Sequence, residues 1–426
     1  MSKTLPSQDF IADLTARGLL NDCTNLEGLA QHLEQPRSLY CGFDPTADSL
    51  HIGNLVPVVV LKRFQLAGHT PIALVGGATG MIGDPSFKKA ERQLNSAEVV
   101  AGWVDKIKAQ VSQFIAFEGD NPAEVVNNLD WVGPMDVVTF LRDVGKHFSV
   151  NAMMKKESVR ARLEDQESGI SFTEFSYMLI QSLDFAKLYK EKDVTLQIGG
   201  SDQWGNITSG IDLTRRQHGG EVYGMTMPLV TKADGSKFGK SETGTVWLDS
   251  QRTSPYAFYQ FWLNVADADV EKFLKYFSFF SLDEIDNIVK EHAEAPHLRL
   301  GQKKLAEDVT TLVHGHKGLV AAQRITDALF AGSLGGLEEE DFIQLRQDGM
   351  PASELPEASM PLVDVLVTSG LAQSKRLARE FITGGGVSLN GEKITSTDYT
   401  LDAKSGMYGQ YHIIRRGKKN FHMVWK

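Results

Sequence analysis

The stretch from Leu39 to Asn54, LYCGFDPTADSLHIGN, passes from an apolar run through a turn-rich segment into a long apolar-periodic one. It reads as strand, loop and helix start, and the rest of the chain has to fold around that unit. Ser49 is a natural N-cap, which puts His51 and Gly53 in the first helical turn. Free backbone N–H groups and an imidazole then face whatever lies above the strand end, where a phosphate would bind. Gly53 has no side chain and lets a flat ring come close to the backbone, while Gly42 and Asp44 offer the same proximity and an acceptor just upstream. A nucleotide is the expected ligand; an ordinary βα turn with an incidental histidine is the plain alternative.

A second stretch weighs against that alternative. Lys237, Phe238, Gly239, Lys240 and Ser241 set two lysines about a glycine in a turn-rich segment, after the apolar run Pro228 to Val230. Lysines so placed suit the transient charge of a reacting phosphate. In order and separation the two stretches resemble the HIGH and KMSKS signatures of the class I aminoacyl-tRNA synthetases. The likeness departs at two points: Asn54 stands where the first signature ends in His, and the second reads KFGKS. Asn54 still donates a hydrogen bond, but not as a cation.

At 426 residues the chain exceeds one ordinary core, and two or three domains are expected. Its hydrophobic content of 42% is that of a globular protein. There are two cysteines, Cys23 and Cys41, and the N-terminal Met-Ser-Lys-Thr has no apolar signal region. No disulfide framework is implied, and a reducing, cytoplasmic setting is expected. Apolar runs are much shorter than a membrane span, so no membrane partner is expected. The formal net charge of −10 by itself argues against nucleic acid. Its distribution argues the other way. Residues 360–426 hold 10 Lys or Arg against 5 Asp or Glu, and the rest of the chain 34 against 49. A basic tail on an acidic body suits a polyanion at one end.

Residues 1–36 read as a helical lead-in, with Phe10, Ile11, Leu14 and Leu19 at near-helical spacing. Leu55 to Leu66 continues an apolar helix, in which Pro57 needs a kink or an early position. A strand from Ile72 to Val75 ends in Gly76, Gly77, Gly80 and Gly83, before Asp84. Their spacing fits neither a dinucleotide fingerprint nor a phosphate loop. They read as a floor under a substrate, with Asp84 as an anion beside an ammonium group. Asn128 to Trp131 is a candidate close of another strand. Residues 147–170, with Lys155, Lys156, Arg160 and Arg162, lack an apolar stripe and read as a solvated excursion facing RNA.

Ser171 and Glu174 form a capping-box pattern ahead of a strongly apolar helix. On it Tyr177, Gln181 and Asp184 stand at i, i+4 and i+7, so a phenol, an amide and a carboxylate share one face. Such a stripe is either the solvated side of a helix or a reader of a polar amino acid. Val194 to Ile198 is a further strand, ending in Gly199, Gly200, Ser201, Asp202 and Gln203. Sites recur at strand C-termini joined by helices. That predicts an α/β catalytic domain over 1–249, a Rossmann-like, doubly wound parallel sheet with ligands at its carboxyl edge.

Residues 250–335 read as a helical domain whose core takes Tyr256, Phe258, Phe261, Trp262, Phe273, Leu274 and Phe277. Residues 336–359, with glycines, prolines and the acidic run Glu338 to Asp341, read as a linker. The tail, 360–426, has a small α+β pattern. One helix covers Leu362 to Thr368, and a second from Ser374 carries Lys375, Arg376 and Arg379 opposite Leu377, Ala378 and Phe381. A hairpin from Val387 to Ile394 turns at Asn390 and Gly391. Arg415, Arg416, Lys418 and Lys419 extend a basic face that serves either RNA or solubility.

This tail resembles the small RNA-binding domain that bacterial tyrosyl-tRNA synthetases share with a small-subunit ribosomal protein. Tyr40 to Asn54, Val75 to Pro85, Ser171 to Asp184, Gln197 to Gln203 and Lys237 to Ser241 resemble the same family. The resemblance implies activation of L-tyrosine by ATP to tyrosyl-adenylate plus pyrophosphate, then transfer of tyrosine to the terminal adenosine of its tRNA. It implies an amino-acid pocket of Tyr40, Asp84, Tyr177, Gln181, Asp184 and Gln203. Tyr40 and Asp184 would meet the substrate phenol, and Asp84, Tyr177 and Gln181 its ammonium group. Gly42, Asp44, His51, Gly53, Asn54, Asp202, Lys237, Lys240 and Ser241 are implied at ATP, with Thr46, His51, Lys237 and Lys240 stabilising charge during reaction. Implied partners are ATP with its Mg2+, tyrosine, tRNA on the basic tail, and a second copy of the chain. No tightly bound cofactor or protein-held metal is implied. Three rivals stay open: a tryptophanyl-tRNA synthetase, for which Asp184 and Tyr40 suit an indole less well; a related nucleotidyltransferase, which needs no basic tail; and a non-enzymatic RNA-binding protein with a relict nucleotide pocket.

Overall fold

The computed structural model describes residues 7–86, 95–164, 169–235, 238–241 and 244–426, without the side chains of residues 7–9, 157, 158, 161, 164, 240 and 241. The chain packs as two units, one of residues 1–240 and 266–301, the other of 241–265 and 302–426. Residues 266–301, read from the sequence as part of a helical domain, pack with the first unit.

In the first unit α1 (Ser7–Ala16) precedes β1 (Ser38–Phe43), α2 (Leu55–Leu66), β2 (Thr70–Val75) and β3 (Glu124–Asn127). Then come α3 (Phe172–Lys192), β4 (Val194–Gly200), α4 (Trp204–His218), β5 (Tyr223–Met227) and α5 (Asp267–Phe277). All five strands run parallel in the order β3-β2-β1-β4-β5. β1 and β2 are apolar and buried over most of their length, as strands covered on both faces must be. The strand order reverses between β1 and β4, and their carboxyl ends part there to leave a crevice. The predicted sheet is present.

Local departures have physical reasons. Pro57 is the third residue of α2, inside the first turn, where its missing N–H has no helical partner to lose. β3 ends at Asn127, and Leu129–Val132 is a helical turn rather than strand. Ser171 caps α3 by accepting the Glu174 N–H at 3.2 Å, but the Glu174 carboxylate turns instead to Arg162. Arg162 grips it with two nitrogens, at 3.1 and 2.9 Å, and gives its Nε–H to the Gly169 carbonyl at 2.8 Å. Both side chains of that ion pair are buried. Met153 and Val159 are buried too, packed with Val144, Met178, Leu179 and Leu183. Among the described residues of 147–170, part of the charge therefore faces inward, against the expectation of a solvated excursion.

In the second unit residues 352–426 form β6 (Ala352–Glu354), α6 (Leu362–Thr368), α7 (Lys375–Thr383), β7 (Val387–Leu389), β8 (Glu392–Ile394), β9 (Tyr411–Arg416) and β10 (Asn420–Trp425). The sheet order is β8-β7-β9-β10-β6. Asn390 and Gly391 both have positive φ, 51° and 90°, the geometry of a two-residue hairpin turn. The stretch read as a linker contributes helix Glu339–Gln344 and strand β6, paired with β10. Asp341 of the acidic run is buried and accepts two Arg324 nitrogens, at 2.7 and 2.9 Å. One core cluster joins Tyr256, Ile325, Phe342 and Leu345 to Tyr411, Ile413 and Met423, so the tail is not insulated from the helices before it.

Candidate active site

Side chains from four strand ends and one helix face converge at the crevice. Asp44 follows β1, and its two oxygens accept the Tyr177 hydroxyl and the Thr79 hydroxyl, each at 2.6 Å. Two turns along α3 from Tyr177, Asp184 is buried, with one oxygen accepting Trp131 Nε1–H at 2.8 Å and the other Asn128 Nδ2–H at 3.1 Å. Burial pushes the Asp184 carboxyl up to about 8, against the lowering pull of those two bonds. Tyr40, on β1, packs edge-on to Phe185 with ring centres 5.4 Å apart. Burial first, and the Asp184 charge second, hold its hydroxyl well above the usual phenol range. Among the described residues, Tyr40 Oη and Gln181 Oε1 are buried without a partner. Two orphaned polar atoms beside a carboxylate costly to ionise mark a place that a polar ligand completes.

At the end of β4, Gln203 ties the rest together. Its amide nitrogen donates to Asp84 at 2.7 Å and to Asp202 at 3.4 Å, and its oxygen accepts from Gln181 at 3.3 Å and Asn206 at 3.2 Å. Burial, then the charge of Asp84, raises Asp202. Three carboxylates, Asp44, Asp84 and Asp202, thus lie along the carboxyl edge, a field suited to a cationic group. Two glycines there are required by the site's own side chains. A Cβ on Gly76 would collide with the Asp44 carboxylate and Thr79 hydroxyl, and one on Gly200 with the Asp202 carboxylate. They make room for the site's own side chains.

The His51 turn also differs from expectation. His51 itself caps a single 3-10 turn, Ile52–Asn54: its Nδ1 accepts the Gly53 N–H at 3.0 Å, and Asn54 Oδ1 accepts the His51 N–H at 3.0 Å. Ser49 gives its hydroxyl to the Leu50 carbonyl and takes a bond from Gln110. Burial lowers the His51 pKa, so the ring is neutral, and with Nδ1 accepting, its proton sits on Nε2. His51 therefore offers a donor, and Asn54 uses its carbonyl on the turn. Gly42 lies in β1, and Thr46 gives its N–H to the Asp44 carbonyl at 2.9 Å. Lys237 and the side chains of Lys240 and Ser241 lie outside the described residues.

On the tail, Lys375 pairs with Asp364 at 2.6 Å and Arg376 with Glu380 at 2.8 Å. Arg415 lies over Phe421, and Arg416 lies over Phe381 and donates to the Leu371 carbonyl at 2.7 Å. Arg379, Lys418 and Lys419 are exposed. Sequence reasoning missed Thr79, Asn128, Trp131 and Asn206 as parts of the site. The first three meet Asp44 and Asp184 across 35 to 56 residues of chain, a distance at which no periodicity operates. Asn128 and Trp131 did carry one signal: they follow a strand end of the same sheet.

A parallel sheet of this order, with its polar groups gathered at the carboxyl edge and a basic tail, defines a class. Residues 32–331 match the family described as tRNA synthetases class I (W and Y), and residues 341–424 match the SYY-like C-terminal domain of tyrosine–tRNA ligases. The chain belongs to this class I tRNA synthetase family. It is 60% identical over 423 residues to the tyrosine–tRNA ligase of Aliivibrio fischeri strain MJ11, covering 99% of each chain. To that of Escherichia coli O8 strain IAI1 it is 56% identical over 425 residues, covering 99% of this chain and 100% of the other. A C-terminally truncated mitochondrial tyrosyl-tRNA synthetase of Aspergillus nidulans superposes with a TM-score of 0.68 at 28% identity, over 75% of this chain and 94% of that one. Plasmodium falciparum tryptophanyl-tRNA synthetase, with a TM-score of 0.53 at 16% identity over 80% and 90% of the two chains, shares the fold. Within the class the activity is that of a tyrosine–tRNA ligase, and the rival readings are not favoured.

Proposed function

We propose that the crevice between the carboxyl ends of β1 and β4 binds and activates tyrosine, and that Asp184 with Tyr40 reads the substrate phenol. The observation that supports this most is the buried Asp184 carboxylate in the field of an unpartnered Tyr40 hydroxyl. A phenol supplies the missing partner. Tyr177 already donates its hydroxyl hydrogen bond to Asp44, so its oxygen is left as an acceptor, and Gln181 Oε1 is a second. With Asp84 they suit the substrate ammonium group. Gly42, Asp44, Gly53, Asn54, Asp202 and Ser241 then serve ATP.

The substrate carboxylate oxygen attacks the α-phosphorus in line, a P–O bond forms, and the bond to the pyrophosphate leaving group breaks. Charge builds on phosphate oxygens, where the His51 Nε2–H, Thr46, Lys237 and Lys240 act; no residue needs to become a nucleophile. The terminal ribose hydroxyl of tRNA next attacks the tyrosyl carbonyl and AMP leaves. Magnesium enters as the phosphate counter-ion that ATP brings. The exposed basic face of the tail serves the tRNA. Val137, Val138 and Phe172, each at least 70% exposed on segments bordering one core cluster, suit a second copy of this chain, consistent with a cytoplasmic homodimer. Among the described residues no helix is long and apolar enough to cross a membrane.

Tyrosine-dependent ATP–pyrophosphate exchange tests the reading. Lys240→Ala is expected to lower exchange kcat about a hundredfold while the KM for tyrosine changes little, because the lysine meets charge that develops in the transition state. An unchanged kcat would retire the lysine's role, and a wild type without exchange would retire the site.

A further inference from the structure

Helix α5 supports both signature stretches at once. The Phe238 ring lies 4.8 Å from that of Phe273 and stacks on that of Phe277 at 5.5 Å and 22°. Those two phenylalanines are one turn apart on α5, fully buried, and meet each other edge-on at 5.9 Å. Upstream of the lysines, the buried Asp269 accepts the Ala233 N–H at 2.8 Å, and Lys272 gives its ammonium group to the Thr231 carbonyl at 2.6 Å. The chain entering the KFGKS stretch is thus pinned to α5 by two polar bonds and an aromatic stack.

The far end of α5 is tied to the first signature. Arg63, on the helix that follows His51, donates to the Ser278 carbonyl and lies 5.0 Å over the Phe279 ring. Arg17 of the segment after α1 reaches the Phe280 carbonyl at 2.8 Å. Both guanidinium groups are buried and hold carbonyls just past the C-terminus of α5, where positive charge is favoured. The two stretches also touch directly. Gly239 has φ of 91°, and a Cβ there would lie 2.8 Å from Ile52 Cγ2, in the turn that His51 caps. Little besides glycine fits.

We infer that Phe238 is a positioning residue for adenylate formation: seated on Phe273 and Phe277, it fixes the backbone that runs through Gly239 to Lys240 relative to the His51 turn. It acts through the lysines and touches no substrate. The inference rests on the proposal that those lysines meet the phosphates of ATP. Its reason is geometric, since charge stabilisation falls steeply when a cation is displaced by an ångström. A phenylalanine that merely fills space would affect stability alone.

The test compares Phe238→Ala, Phe238→Leu, Lys240→Ala and the double variant Phe238→Ala/Lys240→Ala in the full chain, by pyrophosphate exchange and by melting temperature. Phe238→Ala is expected to lower exchange kcat by between about tenfold and a hundredfold, with the KM for tyrosine within about twofold. Phe238→Leu, which keeps apolar bulk without the stacking plane, falls in between and provides the reading if the alanine variant does not fold. In the double variant the two losses are expected to fall well short of multiplying, because the phenylalanine works through the lysine. Wild-type kcat in both Phe238 variants, with Lys240→Ala impaired, overturns the inference alone. Wild-type kcat in every variant overturns the lysine reading beneath it. Losses that multiply fully place the effect of Phe238 elsewhere and overturn the inference as well.

Discussion

The pocket at the sheet edge and the basic face of the tail both carry charge, and they hold it in opposite ways. In the pocket, Asp44, Asp184 and Gln203 are each bonded to two or more named side chains, and the carboxylate of Asp184 is buried. On the tail, Arg379, Lys418 and Lys419 stand in water, and Lys375 and Arg376 meet exposed or half-exposed acids. Removing a buried partner leaves the other group desolvated and unpaired, whereas removing an exposed one leaves water in its place. The same type of residue therefore has a large, specific effect in one region and a small, salt-dependent one in the other.

The largest effect is expected beneath the pocket, at the buried ion pair that braces the start of α3. Glu174→Gln leaves the Arg162 guanidinium buried without its counter-charge, at an expected cost of about 3–5 kcal/mol in unfolding free energy. Denaturant melts of the full chain measure it. A loss under about 1 kcal/mol would mean that water reaches the pair, and the contrast between buried and exposed charge would weaken at its strongest point.

Next comes Asp184→Asn. Phenylalanine in the wild-type pocket leaves Asp184 and Tyr40 without the phenol, a form of rejection for which tyrosyl-tRNA synthetases are themselves the standard illustration. An unpaired buried group costs up to about 3 kcal/mol, so the preference for tyrosine over phenylalanine in kcat/KM is expected to shrink about a hundredfold in Asp184→Asn. The competing account has Asp184 only holding Trp131 and Asn128 in place. Under it both substrates suffer equally and the ratio stays constant.

Acidity gives a smaller handle on the same residue. Between its ordinary value near 3.8 and the folded value of about 8, Asp184 is protonated in the folded chain and ionised in the unfolded one. The unfolded state binds fewer protons, so this residue's contribution makes stability fall as pH rises through that window and level off above it. The slope is at most about 1.4 kcal/mol per pH unit. Unfolding of wild type and Asp184→Asn at pH 5 and pH 8 isolates it: the difference in stability between the two proteins should shift in favour of the variant at pH 8. No shift would mean that Asp184 is already ionised at pH 5.

How much of this was legible follows the same division. The strand end at Val75, the i, i+4, i+7 stripe of Tyr177, Gln181 and Asp184, and the hairpin at Asn390 and Gly391 are local patterns, and they read correctly as placements in the fold, whereas Asn128 to Trp131, expected to close a strand, lies past the end of β3 and includes a helical turn. What failed locally was charge that folding turns inward. Arg162 read as solvated and Asp341 as part of a linker, because their partners Glu174 and Arg324 lie 12 and 17 residues away, outside any one-face pattern. Ser49 lost the capping role to His51 because an imidazole two residues on reaches the Gly53 N–H itself. The contacts of Asn128 and Trp131 with Asp184 exist only once β3 has docked in the sheet. Residue type showed where polar groups gather, and the tertiary structure decided which of them became the scaffold for the others.

The smallest effects belong to the basic face, and they divide it. Lys418 and Lys419 are exposed, whereas Lys375 and Arg376 already face the acids Asp364 and Glu380. An exposed pair contributes only about 0.2–1 kcal/mol to stability, so neither double alanine variant should change the melting temperature much. Binding to tRNA should separate them. Each lysine that contacts a phosphate adds about 0.7 to 0.9 to the slope of log affinity against log salt concentration. Lys418→Ala with Lys419→Ala should therefore flatten that slope by up to nearly two. Lys375→Ala with Arg376→Ala should flatten it by less than one, because the freed carboxylates of Asp364 and Glu380 were already screening those cations. Titrations at several salt concentrations measure both. Equal slopes would show that the tRNA displaces the acids and takes all four cations, so that pairing within the protein is no guide to which charges a polyanion uses.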